Sequence, residues 1–308
     1  MWNKNNILDL YELPFSDLIH KAHSTHRENF EVNQVQVSTL LSIKTGLCPE
    51  NCKYCPQSAH YNTEVEKAAL LNTEEVIKNA KKAKEKGSSR FCMGAAWRNL
   101  HDRDLDQMCE IVTEVKKLGL ETCLTLGMIT DTQAEKLKES GLDYYNHNID
   151  SSKEFYEKII TTRNYQDRID TIKNVANANI HICSGGIVGM GETREDRAEM
   201  ISTLANFQPA PKSIPINLLE KVEGTPLADQ ADLDIFEFIR TIAVTRITSP
   251  KSYVRLSAGR KNISREAQAL CFHAGANSIF YGETLLTQDN PDENTDQNLF
   301  QELGIKAI

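Results

Sequence analysis

The sequence has no run of about 18 or more apolar residues, so no helix able to span a bilayer is expected. It has no excess of basic residues either. Lys and Arg number 35 against 43 Asp and Glu, a net charge of −8. With no concentrated basic patch, such a surface repels phosphate backbones, which argues against general nucleic-acid binding. The first six residues, Met1 to Asn6, lack the apolar core of a signal peptide, and the cytoplasm is the expected compartment. No linker rich in Pro, Gly or Ser divides the chain. H-E-x-x-H, G-x-S-x-G and heptad patterns are all missing. What remains is a chain of 308 residues, 40% hydrophobic and 25% charged, ordinary values for a soluble globular protein. It carries 8 cysteines, which in a reducing compartment are available as thiolate ligands.

Short β-rich runs alternate with amphipathic helical runs. The expected strands are Ser38–Lys44, Arg90–Gly94, Thr122–Leu126, Tyr144–Ile149, Ile180–Ser184, Ile214–Leu218, Tyr253–Ser257 and Ser278–Phe280. Between them, Leu105, Met108, Ile111, Val112, Val115 and Leu118 recur at helical spacing before Gly119. Thr193 reads as an N-cap followed by acids. Eight strands alternating with helices indicate an α/β fold with a parallel sheet, closed as a (βα)8 TIM-type barrel. A doubly wound open sheet would give the same alternation. Residues 1–36 read as a helical N-terminal extension, 37–288 as the barrel domain, and 289–308 as an acidic, mobile C-terminal tail.

The most informative stretch is Thr45 to Pro56, where Cys48, Cys52 and Cys55 stand in C-x3-C-x2-C spacing just after the first strand. Iron–sulfur cubanes are usually held by four cysteine thiolates. Three on one short loop grip three irons and leave the fourth open to a substrate or cofactor. The bland alternative is zinc, which soft thiolates also suit. Structural zinc wants four ligands, and here the nearest further candidate, His60, has nothing to pair with.

Three more cysteines fall on expected strands: Cys92, Cys123 and Cys183. Free Cys often serves as a small hydrophobe, and Cys109 and Cys271, on helices, fit that role. Three thiols on three separate barrel strands are a different matter. Side chains alternate along a strand, so Tyr253, Arg255 and Ser257 share one face. With Val254 and Leu256 facing the helices, Arg255 points inward, where a charge needs a partner or a metal site. An ion pair with Asp150 or another carboxylate is an equally open explanation. Asn146, Asn148 and Asp150 also alternate, so two amides and a carboxylate face inward and need something to bond. A substrate with urea, amide or ribose groups meets that need, whereas His147 points the other way. Gly185 to Thr193 is a glycine-rich strand-to-helix turn that lacks the Lys of a Walker loop and the spacing of a Rossmann fingerprint. His20, His23 and His26 recur every third residue and read as a solvated helix face.

The cysteine spacing, with Tyr54 just before the last cysteine, resembles the radical S-adenosylmethionine enzymes. Together with Val37 to Gly46, Phe91 to Trp97, Tyr144 to Asp150, Gly185 to Thr193 and Val254 to Arg260, it resembles the biotin synthase family in particular. The likeness runs from about residue 35 to about residue 290. It implies that Cys48, Cys52 and Cys55 bind a 4Fe-4S cluster with S-adenosylmethionine on the open iron, and that Tyr54 meets the adenine. It further implies a 2Fe-2S cluster on Cys92, Cys123, Cys183 and Arg255. Asn148 and Asp150 would meet the ribose, supported by Arg168, while Asn146, Asn148 and Asn217 orient dethiobiotin. Asn148, Asp150 and Arg255 are the residues it places in catalysis. The implied reaction is radical insertion of sulfur into dethiobiotin to form biotin, with the inner cluster as sulfur donor. The implied partners are an external electron donor of flavodoxin type and a second copy in a homodimer.

Overall fold

The computed structural model describes residues Met1–Ile308. Two helices, α1 (Lys4–Tyr11) and α2 (Phe15–Asn29), precede β1 (Gln34–Lys44). There follow α3 (Thr73–Glu85), β2 (Arg90–Ala95), α4 (Asp102–Lys117), β3 (Glu121–Thr125), α5 (Asp131–Glu139) and β4 (Tyr144–Asn146). The middle of the chain holds α6 (Lys153–Ile159), α7 (Tyr165–Asn177), β5 (His181–Cys183), β6 (Gly186–Val188), α8 (Arg194–Ala205) and β7 (Ser213–Leu218). The last third holds α9 (Ile235–Thr248), β8 (Tyr253–Leu256), α10 (Arg265–His273), β9 (Ser278–Phe280), β10 (Thr284–Leu285), β11 (Gln288–Asp289), α11 (Glu293–Leu303) and β12 (Lys306–Ala307).

Every barrel ladder is parallel, and β9 returns to pair with β1 at Gln36↔Ser278 and Val37↔Ile279. The sheet is therefore a closed barrel, not a doubly wound open sheet. Its eight strand positions are those expected from the sequence, with β5 and β6 sharing one. Cys183 lies opposite Ser213 and Gly186 opposite Ile216, so the register carries straight across the break at Ser184 and Gly185. The glycines there allow close backbone approach. A Cβ on Gly185 would sit 1.9 Å from the Pro215 carbonyl oxygen. Glycine-rich sequence read as a turn is thus partly strand.

The main core fills the shell between strands and helices. On α4, Leu105, Met108, Ile111, Val112 and Val115 are all buried, which is the stripe the spacing predicts. Thr193 caps α8 in a reciprocal box with Asp196, satisfying free N–H groups of the first turn. Outside the barrel, α1 packs on α8 and α9, and α2 packs on α9.

Two expectations are corrected. The acidic stretch after residue 289 is folded onto the barrel and is not an open tail. Asp292 caps α11 by accepting from the Thr295 amide at 2.8 Å, and acids in a first helical turn favour the helix. Asp296 is buried against the fully buried Arg260, and β12 extends the sheet beside β1 at Gln34↔Lys306. The histidine face of α2 is not wholly solvated either: His26 is buried beside Phe30, and His23 stacks on His273 with ring centroids 4.2 Å apart.

Candidate active site

At the top of β1, Gly46 and Leu47 both take left-handed φ values, +73° and +54°, which turns the chain sharply into the cysteine loop. The loop closes on itself: the Cys48 amide donates to the Gln57 carbonyl at 2.9 Å, and the Ala59 amide to the Cys48 carbonyl at 2.7 Å. Cys52 is buried, and Cys48 and Cys55 are half-buried. Burial and then neighbouring thiols push Cys55 up to about 12. Burial likewise lifts Cys52 to about 11, with Cys48 among the charges adding to the rise. Three crowded thiols that resist ionisation are a poor arrangement on their own. They suit a soft cation that replaces their protons, because metal binding and deprotonation are linked.

Beside this loop, the Tyr54 hydroxyl donates to Asp150 Oδ2 at 2.9 Å, and Arg168 Nη2 donates to the same oxygen at 2.5 Å. Asp150 Oδ1 makes no hydrogen bond within the protein. The alternation expected for Asn146, Asn148 and Asp150 stops short. The strand ends at Asn146, and Asp150 has a φ of +67°, which turns its carboxylate away to Arg168 and Tyr54. Asn146 and Asn148 do share a face and bond each other at 3.3 Å. His147 is buried on the far side, as expected.

Inside the barrel, Cys92 lies directly opposite Cys123, and Asn146 opposite Cys183. The three thiols form one contact cluster with Tyr144, Phe280 and Leu285. Asn146 Nδ2 donates to Cys183 Sγ at 3.2 Å. Hydrogen bonding from Cys123 holds Cys183 below the usual thiol range, and the Arg255 charge adds to this against burial. Cys123, which faces both other thiols, is pushed well up. Three thiols in mutual contact are a soft donor set suited to a common thiophilic metal.

Arg255 is 1% exposed and meets no carboxylate. Its Nε donates to Ser278 Oγ at 2.9 Å, and its Nη2 to Gln36 Oε1 at 3.1 Å and Ser38 Oγ at 3.0 Å. The ion-pair explanation therefore fails, because Asp150 is committed to Arg168. Arg255 Nη1 has no protein acceptor, and the residue lines the central cavity.

That cavity, about 220 Å³, reaches both cysteine groups, through Cys55 of the loop and Cys92 and Cys123 of the barrel. Tyr54 and Cys55 line one part of it, Cys92, Cys123 and Arg255 another, and Asn146, Asn148 and Asn217 the wall between. Asn217 is held by backbone at both ends, donating to Gly186 O at 2.9 Å and accepting from the Ala258 amide at 3.2 Å. Cys109 and Cys271 lie outside it, in packing positions. Sequence reasoning missed the β10–β11 hairpin, whose Leu285, Leu286, Thr287 and Gln288 cover the cavity. The apolar pair between Thr284 and Thr287 was its faint signal.

The comparisons with known proteins bear on this arrangement. A model of the Radical SAM superfamily matches residues 42–204. The Biotin and Thiamin Synthesis associated domain matches residues 215–306. A biotin synthase from Thioalkalivibrio sulfidiphilus is 60% identical over 307 residues, covering 100% of this chain and 90% of that protein. The chain belongs to the biotin synthase family. Another member, from Alteromonas mediterranea, is 61% identical over 99% of this chain and 82% of its own length. Solved structures show the shared fold at greater distance. Methylornithine synthase superposes with a TM-score of 0.81 at 19% identity, covering 99% of this chain and 94% of that one. The FeFe-hydrogenase maturase HydG from Carboxydothermus hydrogenoformans gives 0.85 at 15% identity, covering 99% and 76%. Membership in the family makes this chain an iron–sulfur enzyme that uses S-adenosylmethionine.

Proposed function

We propose that this enzyme makes biotin by inserting sulfur into dethiobiotin in the central cavity, between a 4Fe-4S cluster on Cys48, Cys52 and Cys55 and a 2Fe-2S cluster on Cys92, Cys123, Cys183 and Arg255. The observation that carries this reading is that a single cavity touches both cysteine groups. When bound, the first cluster supplies the electron that cleaves S-adenosylmethionine to methionine and a 5′-deoxyadenosyl radical, and the second supplies the sulfide.

The chain's own residues hold and shield the reactants. Tyr54, anchored through its hydroxyl to Asp150, presents its ring to the adenine. Asn148 and the free Oδ1 of Asp150 accept ribose hydroxyls, and Arg168 fixes Asp150 in place. Asn146, Asn148 and Asn217 meet the ureido ring and carboxylate of dethiobiotin. Arg255 keeps Nη1 for the inner cluster while Gln36, Ser38 and Ser278 hold the rest of its guanidinium. Leu40, Phe280 and Leu285 keep water from the cavity, so that a primary radical meets only the hydrogen placed beside it. Supported by the family resemblance, the reading extends to a homodimer in the cytoplasm that draws electrons from a flavodoxin-type donor. It takes residues 37–288 as the barrel unit, flanked by the 1–36 extension and the 289–308 segment.

Anaerobic incubation of the reconstituted protein with dithionite, S-adenosylmethionine and dethiobiotin tests it. Biotin formed together with 5′-deoxyadenosine is the expected outcome. Deoxyadenosine without biotin would overturn the substrate, and neither product would overturn the reaction.

A further inference from the structure

Beneath the first cysteine loop lies a buried ion pair that the mechanism above does not use. Glu50 stands between Cys48 and Cys52, with its side chain 2% exposed. The segment around it is stapled to the loop between α6 and α7. The Asn51 amide donates to Thr162 Oγ1 at 3.1 Å, and the amides of Thr161 and Thr162 donate to Asn51 Oδ1 at 2.9 and 3.2 Å. The Lys53 amide donates to the Ile159 carbonyl at 3.2 Å, and the Thr162 hydroxyl donates to the Glu50 carboxylate.

The staple brings Arg163 under the cysteine loop. Its side chain is 7% exposed, and its Nε lies 3.8 Å from Glu50 Oε2, an ion pair without a hydrogen bond. Nε and Nη1 of Arg163 are both buried with no acceptor, and Glu50 Oε1 is buried with no donor. Arg98, at 41% side-chain exposure, approaches Glu50 Oε1 from the solvent side at 3.4 Å. Charged donors are seldom left unpaired inside a protein, so this guanidinium is set up for an acceptor that the polypeptide does not supply. Glu50 sits midway between Cys48 and Cys52 in the chain, so a guanidinium 3.8 Å from its carboxylate lies against the same loop.

We propose that Arg163 is a positioning residue that raises the reduction potential of the first cluster through its fixed charge and free N–H donors, with Glu50 as the counter-charge that limits the effect. The proposal rests on the reading that Cys48, Cys52 and Cys55 hold that cluster. Taking up one electron adds one negative charge, which a nearby buried cation favours and a nearby carboxylate opposes. Hydrogen bonds to sulfur and local charge are known levers on such potentials. Because Glu50 and Arg163 are not hydrogen-bonded to each other, neutralisation is incomplete and both groups act.

The test is a redox titration of the reconstituted full-length protein, followed by the EPR signal of the reduced cluster, with iron content measured on each sample. Arg163→Met should lower the reduced-to-oxidised ratio at a fixed potential about tenfold, the order a single charge exerts in a partly buried setting. For a one-electron couple this is about 59 mV. Glu50→Gln, which keeps the acceptor for Thr162, should raise the ratio by a similar factor. Arg163→Lys should stay within about twofold of wild type. Asn51→Ala, which cuts the staple but moves no charge, should speed iron loss to a chelator and leave the midpoint in place. A loosened loop cannot shift the two charge variants in opposite directions. Shifts of the same sign, or wild-type midpoints in both with full iron content, overturn the proposal. Should Arg163→Met fail to hold iron, Glu50→Gln and Arg163→Lys still decide it. A wild type with no 4Fe-4S signal, or a Cys52→Ala protein that keeps the 4Fe-4S signal, instead removes the cysteine assignment and the proposal with it.

Discussion

Asp150→Asn offers a direct measure of how the site is braced. The carboxylate and the Arg168 guanidinium are 2.5 Å apart, with side chains 4% and 6% exposed. Asparagine tolerates the left-handed backbone at this position, φ +67°, so the substitution removes charge without adding backbone strain. What it leaves behind is a buried arginine whose remaining partner is the Tyr156 hydroxyl, at 3.1 Å. Breaking one side of a buried pair destabilises by about 3–5 kcal/mol, because the surviving charge is stranded away from water. Asparagine still offers Arg168 a neutral oxygen, so the lower end, about 3 kcal/mol, is expected. Arg168→Met in the same chain removes the stranded charge. The double variant should therefore recover about 2 kcal/mol or more relative to Asp150→Asn alone. Anaerobic urea unfolding of the cluster-free protein in reductant, followed by circular dichroism, reads both steps without depending on catalysis. Deoxyadenosine production in the reconstituted double variant should stay low, since the proposed function assigns Asp150 to the ribose hydroxyls. A loss below about 1 kcal/mol for Asp150→Asn, or a double variant less stable than the single one, would refute the argument that the pair is an isolated charge couple.

Other outcomes follow from the same structure. His26 is buried with no partner for Nε2, and burial, with Arg246, His23 and Arg27 nearby, lowers it to about 4. Its folded form refuses a proton that the unfolded chain accepts near 6.5, so stability present above that pH is lost as the pH falls toward 4. His26→Phe should flatten this acid-side slope in thermal melts between pH 7 and pH 5. Cys123→Ala should reduce iron and labile sulfide in the reconstituted protein, whereas Cys271→Ala should leave both at wild-type levels. Gly185→Ala forces a Cβ to within 1.9 Å of the Pro215 carbonyl oxygen, and soluble yield should fall sharply, while Gly304→Ala, opposed only by its left-handed φ of +64° in otherwise open space, should lose about 1 kcal/mol and stay soluble. Asp296→Ala strands the fully buried Arg260 and should lower the unfolding midpoint by an amount equivalent to about 3 kcal/mol, although the C-terminal segment lies outside the cavity lining.

Much of this architecture is legible in the residues themselves. Alternation of buried runs with amphipathic stripes yields the eight strand positions, because parallel strands covered on both faces must be apolar nearly throughout. The thiols announce themselves by spacing in the loop and by strand placement in the barrel. What stays hidden is whatever depends on a break in periodicity. The turn of Asp150 toward Arg168 comes from a single positive φ, which strand alternation cannot foresee. Gly185 and Gly186 look like turn residues, yet they are small because Pro215 on β7 and the backbone of Asp150 come within reach of where a Cβ would sit. The acidic run before residue 297 looks solvated because its sequence carries no sign that Arg260, more than thirty residues away, awaits Asp296. The β10–β11 hairpin is too short to leave a periodic trace. The neutral cradle of Arg255, with Gln36 and Ser38 on β1 and Ser278 on β9, exists only once the barrel has closed.

That closure also orders events during synthesis. The strand bearing the first cysteine loop emerges early, but its neighbours β9 and β12 are made last, and Arg255 arrives late as well. Until β9 is made, Cys92, Cys123 and Cys183 lie on a sheet still open along the edge of β1. Once β9 pairs with β1 at Gln36 and Val37, Cys92 and Cys123 line a closed interior that the β10–β11 hairpin narrows. Whatever reaches Cys92 and Cys123 after that moment does so through the cavity they line.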